Sequence, residues 1–396
     1  MISVREAQQL LLRNVFLLPE EVIPLAESCG RALSQDVIAP VSSPLFDQTA
    51  VDGYAINLDD LADGRPLYVS GEIRAGDSHE MALKSGEAVR IFTGAPIPAN
   101  ADTVVMQEFV EANGSAITVR DNVLKKGANI RREGEQIRRG DVALKKGTLL
   151  NPAAIGFLAS LGLESVRVVC LPKIGIVASG SEFAGTEKQL QKGKKYESNG
   201  VMLQCALKGM GIDATYMKAE DKLPVLAGLL RAEADQTDIV IVTGGVSVGK
   251  YDFTHEALEE IGFETIFHKV SQKPGKPILF AKRGNKIAFG LPGNPRAALV
   301  CFYEYVAPFI RAMTGCRKPF LPALKMQLTH DYKKKGGRSQ FLAAGFAEGG
   351  VKVLEGQGSH MLRSLSEADA IIQIQAEHEC INKGELVEVH LLPGNN

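Results

Sequence analysis

Apolar positions in this chain keep three different rhythms, and the changes between them divide it into parts. Between Ser3 and Asn14, Val4, Ala7, Leu10 and Leu11 recur at helical spacing, and Ser3 with Glu6 predicts a capping box. A second helix-like piece runs from about Leu25 to Leu33. From Leu67 to about Gly140 the helical period is gone. Short β-rich pieces (Leu67 to Val69, Ala88 to Ile91, Thr103 to Gln107, Ala116 to Val119) alternate with Gly/Asn/Asp turns, which predicts a small all-β module. Leu124 to Gly127 and Leu144 to Gly147 read as hairpin turns with solvated lysines. Pro152 then opens a helix over Ala153 to Leu161, stopped by Gly162.

Near Val166 the rhythm changes again. Lys173 to Ala178 and Ile239 to Val242 are apolar without alternation, the mark of strands buried on both faces. Further strands are predicted at Asp213 to Met217, Glu264 to Val270, Ile278 to Ala281 and Ile287 to Phe289. Between them lie helices from Ser198 or Asn199 to Met210, Leu223 to Asp235 and Glu256 to Ile261. A last helix opens at Pro295, with Asn294 as N-cap, and runs to about Met313. This alternation predicts a doubly wound, mostly parallel α/β sheet. Beyond Gly315 short strands return (Leu324 to Leu328, Val351 to Leu354, Ala370 to Ile374, Leu386 to Leu391), giving an all-β C-terminal domain with no helix of note. The class is therefore α/β plus β, multidomain.

Composition narrows the setting. A chain of 396 residues exceeds one ordinary core, so two to four domains are expected. A net charge of −1 provides no global field toward nucleic acid or membrane, and no apolar run reaches the length of a membrane span. The N-terminal stretch carries Arg5 and Glu6 early and shows no small-residue cleavage site, so a signal peptide is not expected. The six cysteines are scattered without a CxxC pair, which suits reduced thiols and a cytoplasmic address.

Candidate chemistry gathers in loops that follow the α/β strands: Ser179 to Glu182, Thr243 to Asp252, Lys273 to Pro277 and Pro292 to Pro295. In an open parallel sheet such loops meet at the carboxyl ends of the strands. The Gly244-Gly245 turn and the helix start at Asn294-Pro295 are expected to aim bare N–H groups at an anion. Lys273 and Lys276 add positive charge, and Glu182, Glu197 and Asp252 offer oxygen ligands for a hard cation. A phosphate-bearing ligand with Mg²⁺ is the expectation. The stretch from Val246 to Asp252 is not a Walker loop, and no Ser/His/Asp or Cys/His arrangement is legible. Asp52-Gly53 admits two readings, a type I′ hairpin turn or a site loop presenting Asp52.

The ordered set TAVDGYA (Thr49 to Ala55), RIFTGAPIP (Arg90 to Pro98), TGGVSVGKYDFT (Thr243 to Thr254), KPGKP (Lys273 to Pro277), GLPGNP (Gly290 to Pro295) and GSH (Gly358 to His360) closely resembles the molybdopterin molybdenumtransferase family, MoeA and the E domain of gephyrin. The likeness covers essentially the whole chain. It implies insertion of molybdate into adenylylated molybdopterin (molybdopterin-AMP) with Mg²⁺, releasing AMP. It further implies a homodimer whose site lies between the α/β domain of one subunit and the DGYA-bearing module of the other, with a molybdopterin adenylyltransferase as a possible partner. The division implied is a discontinuous helical and extended linker domain (1–45 plus 138–168), an inserted β module (46–137), an α/β molybdopterin-binding domain (169–316) and a β domain (317–396). By similarity Glu197, Gly244, Gly245, Ser247, Lys273, Lys276, Pro292, Gly293, Asn294, Pro295 and Ser359 would bind substrate. Asp52, Thr93, Glu182 and Asp252 would be catalytic, and Glu182 and Asp252 would be the Mg²⁺ ligands.

Five positions depart from that family's pattern. Gln136 and Ser181 stand where Asp is usual, Glu197 lengthens an Asp, Arg296 replaces a small apolar residue, and Ala343 replaces an Arg. If all five faced the pocket, its field would become more positive, favouring an anion and weakening Mg²⁺. A pterin-binding scaffold, or a paralogue serving tungstate, is the alternative these departures support.

Overall fold

The structure is a computed structural model and describes residues 1–77, 81–183, 192–246, 253–334 and 336–394. Its central sheet has six strands, in the order Ala214–Ala219, Ile174–Ser179, Ile239–Thr243, Lys286–Leu291, Leu279–Arg283, Glu264–His268. The first four are parallel, and the last two join antiparallel at one edge. Every residue of Ile239–Thr243 is buried, as the unalternating run requires. Ile239 and Ile241 enter a core with Leu203 and Leu207 of the Asn199–Lys208 helix. Val240 and Val242 enter the opposite core, with Leu226 and Leu230 of Leu223–Gln236. Each such side chain contributes about 1.5–3 kcal/mol on burial, so this strand is a rigid base for the turn that follows it.

Chain order places a topological switch here. From Ile174–Ser179 the chain leaves to one side, toward Ala214–Ala219, and returns on the other side to Ile239–Thr243. The two outgoing loops therefore splay apart at the carboxyl ends of neighbouring strands, leaving a crevice.

The predicted capping box is present: Glu6 N–H donates to Ser3 Oγ at 3.2 Å and Ser3 N–H to Glu6 Oε2 at 2.7 Å. The helix expected around Leu25 to Leu33 is not. Residues Glu20–Pro24 are a strand, one 3₁₀ turn covers Leu25–Glu27, and Gly30 at φ +78° turns the chain. Strand Glu20–Pro24 pairs antiparallel with Ser165–Val169, so the α/β sheet begins at Ile174 rather than near Val166. The type I′ turn at Asp52-Gly53 is also absent, because Gly53 starts the strand Gly53–Ile56. A Cβ on Gly53 would lie 1.9 Å from the carbonyl oxygen of Val105, which explains glycine there by close backbone approach.

The last α/β helix is not continuous. Pro295–Cys301 and Ala307–Met313 are α-helical, and the turn Phe302–Val306 between them widens to a π-helix. Pro308 has no N–H for the Glu304 carbonyl and crowds it, so the turn before it opens. The Glu304 side chain then reaches into the C-terminal domain and meets His390 at 2.7 Å, both groups being buried. His390 also contacts Glu388 at 3.2 Å. Burial pushes the imidazole pKa down, but the two carboxylates outweigh it and raise it to about 9.

The C-terminal sheet contains a nine-residue strand, Ser339–Ala347, that the pattern reading missed, and a short helix, Arg363–Ser366. Its edge strand comes from the α/β domain: Gln272 and Lys273 pair in parallel with Ser339 and Gln340. The KPGKP loop is thus built into the neighbouring domain's sheet.

Candidate functional site

A cleft of about 340 Å³ opens at the strand switch. Its walls are the ends of Ile174–Ser179 and Ile239–Thr243, the Gly244–Val246 turn and the Pro292–Asn294 turn. Gly244 has φ +93°, and a Cβ there would stand 2.2 Å from the Ser179 carbonyl oxygen, so the turn passes against the neighbouring strand end. Gly244 N–H is not bare as expected, since it donates to the Leu291 carbonyl at 3.1 Å. That bond joins the first glycine turn to the strand leading into Pro292.

A second joint is a side chain. Asn199 is 6 % exposed, and its Nδ2 donates to Thr243 Oγ1 at 2.7 Å and to the Gly293 carbonyl at 3.0 Å. The Gly293 carbonyl can only accept, which fixes the amide's orientation and leaves Oδ1 without a hydrogen-bond partner. Asn199 lines the cleft, so this acceptor belongs to its chemistry. Asp221 lines it too, accepting from Ser179 Oγ at 2.5 Å and Ser181 N–H at 3.0 Å. Sequence reasoning missed both residues as site residues. Asn199 had a sufficient role as a helix cap, although Asp221, just past a strand's carboxyl end, carried a positional signal.

Glu182 lies at the cleft 2.9 Å from Lys195. Burial raises its pKa, but Lys195, its own N–H and Lys194 overcome this and hold it below the usual carboxylate range. Glu197 is turned elsewhere: it accepts from Gly200 N–H at 3.0 Å and from the Tyr216 hydroxyl, steadying the Asn199–Lys208 helix. Pro292, Gly293 and Asn294 line the cleft, and Pro295 occupies the first helical position. Asn294 makes no side-chain cap bond, contrary to expectation, and donates instead to Ser359 Oγ at 3.1 Å. Lys273 and Lys276 are exposed beside the cleft, which Pro277 of the same loop lines. Ser247 and Asp252 lie outside the described residues.

Asp52 and Thr93 come together but not at this cleft. Thr93 donates to Asp52 Oδ1 through N–H at 2.8 Å and through Oγ1 at 2.7 Å. These bonds, with nearby Arg90, keep the Asp52 carboxyl below its usual pKa.

The five departures do not all face the cleft, so the expected rise in positive field does not follow. Gln136 accepts from Ser43 Oγ, and Ser181 supports Asp221 through its main chain. Arg296 is fully buried and points into the C-terminal domain, where it meets Gln357. Ala343 sits on the other side of that same glutamine, bonded to its side chain through N–H and C=O.

Residues 2–162 match the MoeA N-terminal region (domains I and II), 175–312 a probable molybdopterin binding domain, and 325–392 the MoeA C-terminal region (domain IV). The chain belongs to the MoeA family. A molybdopterin molybdenumtransferase of Haemophilus influenzae is 35 % identical over 99 % of this chain and 100 % of its own length. One of Staphylococcus epidermidis is 32 % identical over 100 % and 96 %. The molybdopterin biosynthesis MoeA protein of Pyrococcus horikoshii superposes with a TM-score of 0.87 at 30 % identity, covering 99 % of this chain and 100 % of that one. Membership places the chain among the transferases of molybdenum cofactor biosynthesis. Among the described residues no helix is long and apolar enough to cross a membrane.

Proposed function

We propose that this chain inserts molybdate into adenylylated molybdopterin and releases AMP, and that the cleft at the strand switch receives the pterin phosphate. The observation that carries the reading is the cleft itself, where two glycine-bearing turns are cross-bonded by Asn199 in a MoeA-family chain. Gly245, Gly293 and Asn294 bring main chain to the cleft for an anion, while Gly244, whose N–H is taken by the Leu291 carbonyl, and Pro292 shape the two turns. Lys273, Lys276 and Ser359 stand around it, and Pro295 orients the helix start. Asn199 Oδ1 accepts a ligand N–H.

No cluster of three or more His, Cys, Asp or Glu side chains suited to a metal occurs among the described residues. Glu182 and Asp221 nevertheless form an oxygen-only donor set on one cleft, the chemistry Mg²⁺ requires when substrate phosphates complete its shell. When bound, Mg²⁺ supplies charge neutralisation at the phosphoanhydride. Glu182 stays ionised beside Lys195, and Asp221 is held in place by Ser179 and Ser181. By family resemblance Asp252 would join Glu182 as a Mg²⁺ ligand and Ser247 would bind substrate, and both lie outside the described residues.

Asp52 and Thr93 act from a second subunit. Their partly exposed, mutually bonded pair supports a homodimer with composite sites, because it does not line its own chain's cleft. A separate adenylyl-transfer reaction has to supply the substrate. The test is incubation of purified protein with adenylylated molybdopterin, molybdate and Mg²⁺. Molybdate-dependent AMP release is expected, and its absence under every divalent cation sinks the reading.

A further inference from the structure

Arg296 heads the fully enclosed side chains by volume, one residue into the helix that follows the Pro292–Asn294 turn. Its guanidinium donates to the main-chain carbonyl and side-chain Oε1 of Gln357, and at 3.2 Å to the Phe341 carbonyl. Nε has no hydrogen-bond partner, and no described carboxylate forms an ion pair with the group. Burial lowers its pKa to about 10, against a small upward pull from Tyr332, so it remains a cation at neutral pH. A cation enclosed by neutral acceptors is a costly way to fill space, and an apolar side chain of similar volume would do so more cheaply. What an apolar residue could not do is grip another residue in a fixed orientation.

That grip closes a ring. Gln357 is bound on all sides: Nε2 donates to the Ala343 carbonyl at 2.9 Å and the Leu354 carbonyl at 2.7 Å, while Oε1 also accepts from Ala343 N–H at 3.1 Å. Two residues on, Ser359 Oγ accepts from Asn294. Asn294 lies on the cleft and is joined by two peptide bonds to Arg296. The path Asn294, Arg296, Gln357, Ser359 and back crosses from the α/β domain to the C-terminal domain and returns.

We propose that Arg296 is a positioning residue for the cleft: by gripping Gln357 it sets Ser359 against Asn294 and makes the C-terminal β domain part of the binding wall. This rests on the reading of the cleft as the molybdopterin site. The test is a thermodynamic cycle on the full chain, with molybdopterin itself as probe. Its Kd is measured for wild type, R296M, S359A and the double variant, beside each thermal midpoint. R296M and S359A should each weaken binding about fivefold, the worth of one hydrogen bond, and the double variant should be no weaker than either single. R296K keeps the charge without the planar fork and should stay weakened, and Q357M should reproduce R296M. Should R296M fail to fold, Q357M with S359A carries the same cycle. Additive losses, a Kd restored by R296K, or an R296M variant of lowered midpoint but wild-type Kd would each overturn the proposal. A wild-type chain that does not bind molybdopterin would overturn the site reading instead, and the proposal with it.

Discussion

Two polar clusters of this molecule are built on opposite plans. The cleft at the strand switch stands on fully buried strands, and its turns are bonded to one another through Gly244 N–H and Asn199. The Asp52–Thr93 pair stands at the rim of a small β module and is bonded chiefly to itself. The first has a shape that a ligand can enter. The second has an acid kept ionised where little of its own chain faces it. The contrast teaches that the cleft has to be stiff to be selective, whereas the pair can be carried on a surface that another molecule meets.

The contrast is most exposed to a substitution in the stiff part. Gly244→Ala places a Cβ against the Ser179 carbonyl at a positive φ, and should cost about 2 kcal/mol or more while abolishing molybdopterin binding. Denaturant midpoints and a binding titration check it, and a wild-type midpoint would break the claim of stiffness.

Next comes the buried pair that joins the cleft's last helix to the C-terminal domain. Because His390 has a folded pKa of about 9 against 6.5 in the open chain, its stabilisation is complete below pH 6.5 and is lost as pH rises through about 9. Unfolding midpoints from pH 6 to 10 should fall across that window. Glu304→Gln should flatten the fall and lower stability at pH 6 by about 3 kcal/mol.

Asp52→Ala should leave the thermal midpoint nearly unchanged and abolish AMP release. If sites are shared between subunits, equal co-expression of Asp52→Ala and Gly244→Ala chains should recover about one quarter of the wild-type sites, since half the dimers are mixed and each has one intact site. No recovery would count against a site shared between subunits.

The smallest effect is expected in the module's surface. Lys126→Ala removes the ion pair of an exposed lysine with the half-buried Asp102 and should barely move the unfolding midpoint, an effect that fades in salt.

Much of the fold was legible because both of its strong signals are local. Ile239 to Val242 had to be covered on two faces, and Ser3, Gly162 and Gly262 mark helix ends by their chemistry. Ser339–Ala347 was not legible: its Ala-Ala-Gly centre has weak strand preference, and its burial comes from partners on both sides in the sheet. Glu20–Pro24 was hidden for the same reason, its pairing partner being Ser165–Val169. At the site, turns rich in glycine and proline announced themselves, whereas Asn199 and Asp221 are ordinary polar residues until the fold aims them. Arg296 shows the converse, since a cation next to a phosphate-type loop in sequence points away from it in space.

The pairing of Gln272–Lys273 with Ser339–Gln340 has a consequence for how the protein is made. During synthesis the residues of the parallel sheet and its helices all emerge before Ser339 does, so that core can form while the KPGKP loop still lacks its neighbour. The loop acquires its final register only when the last domain folds back onto it, a late long-range closure that follows the assembly of the earlier part. A nascent or truncated chain can therefore have its parallel sheet folded while the KPGKP loop is still unpaired, and the loop is fixed only once Ser339 and Gln340 have been made.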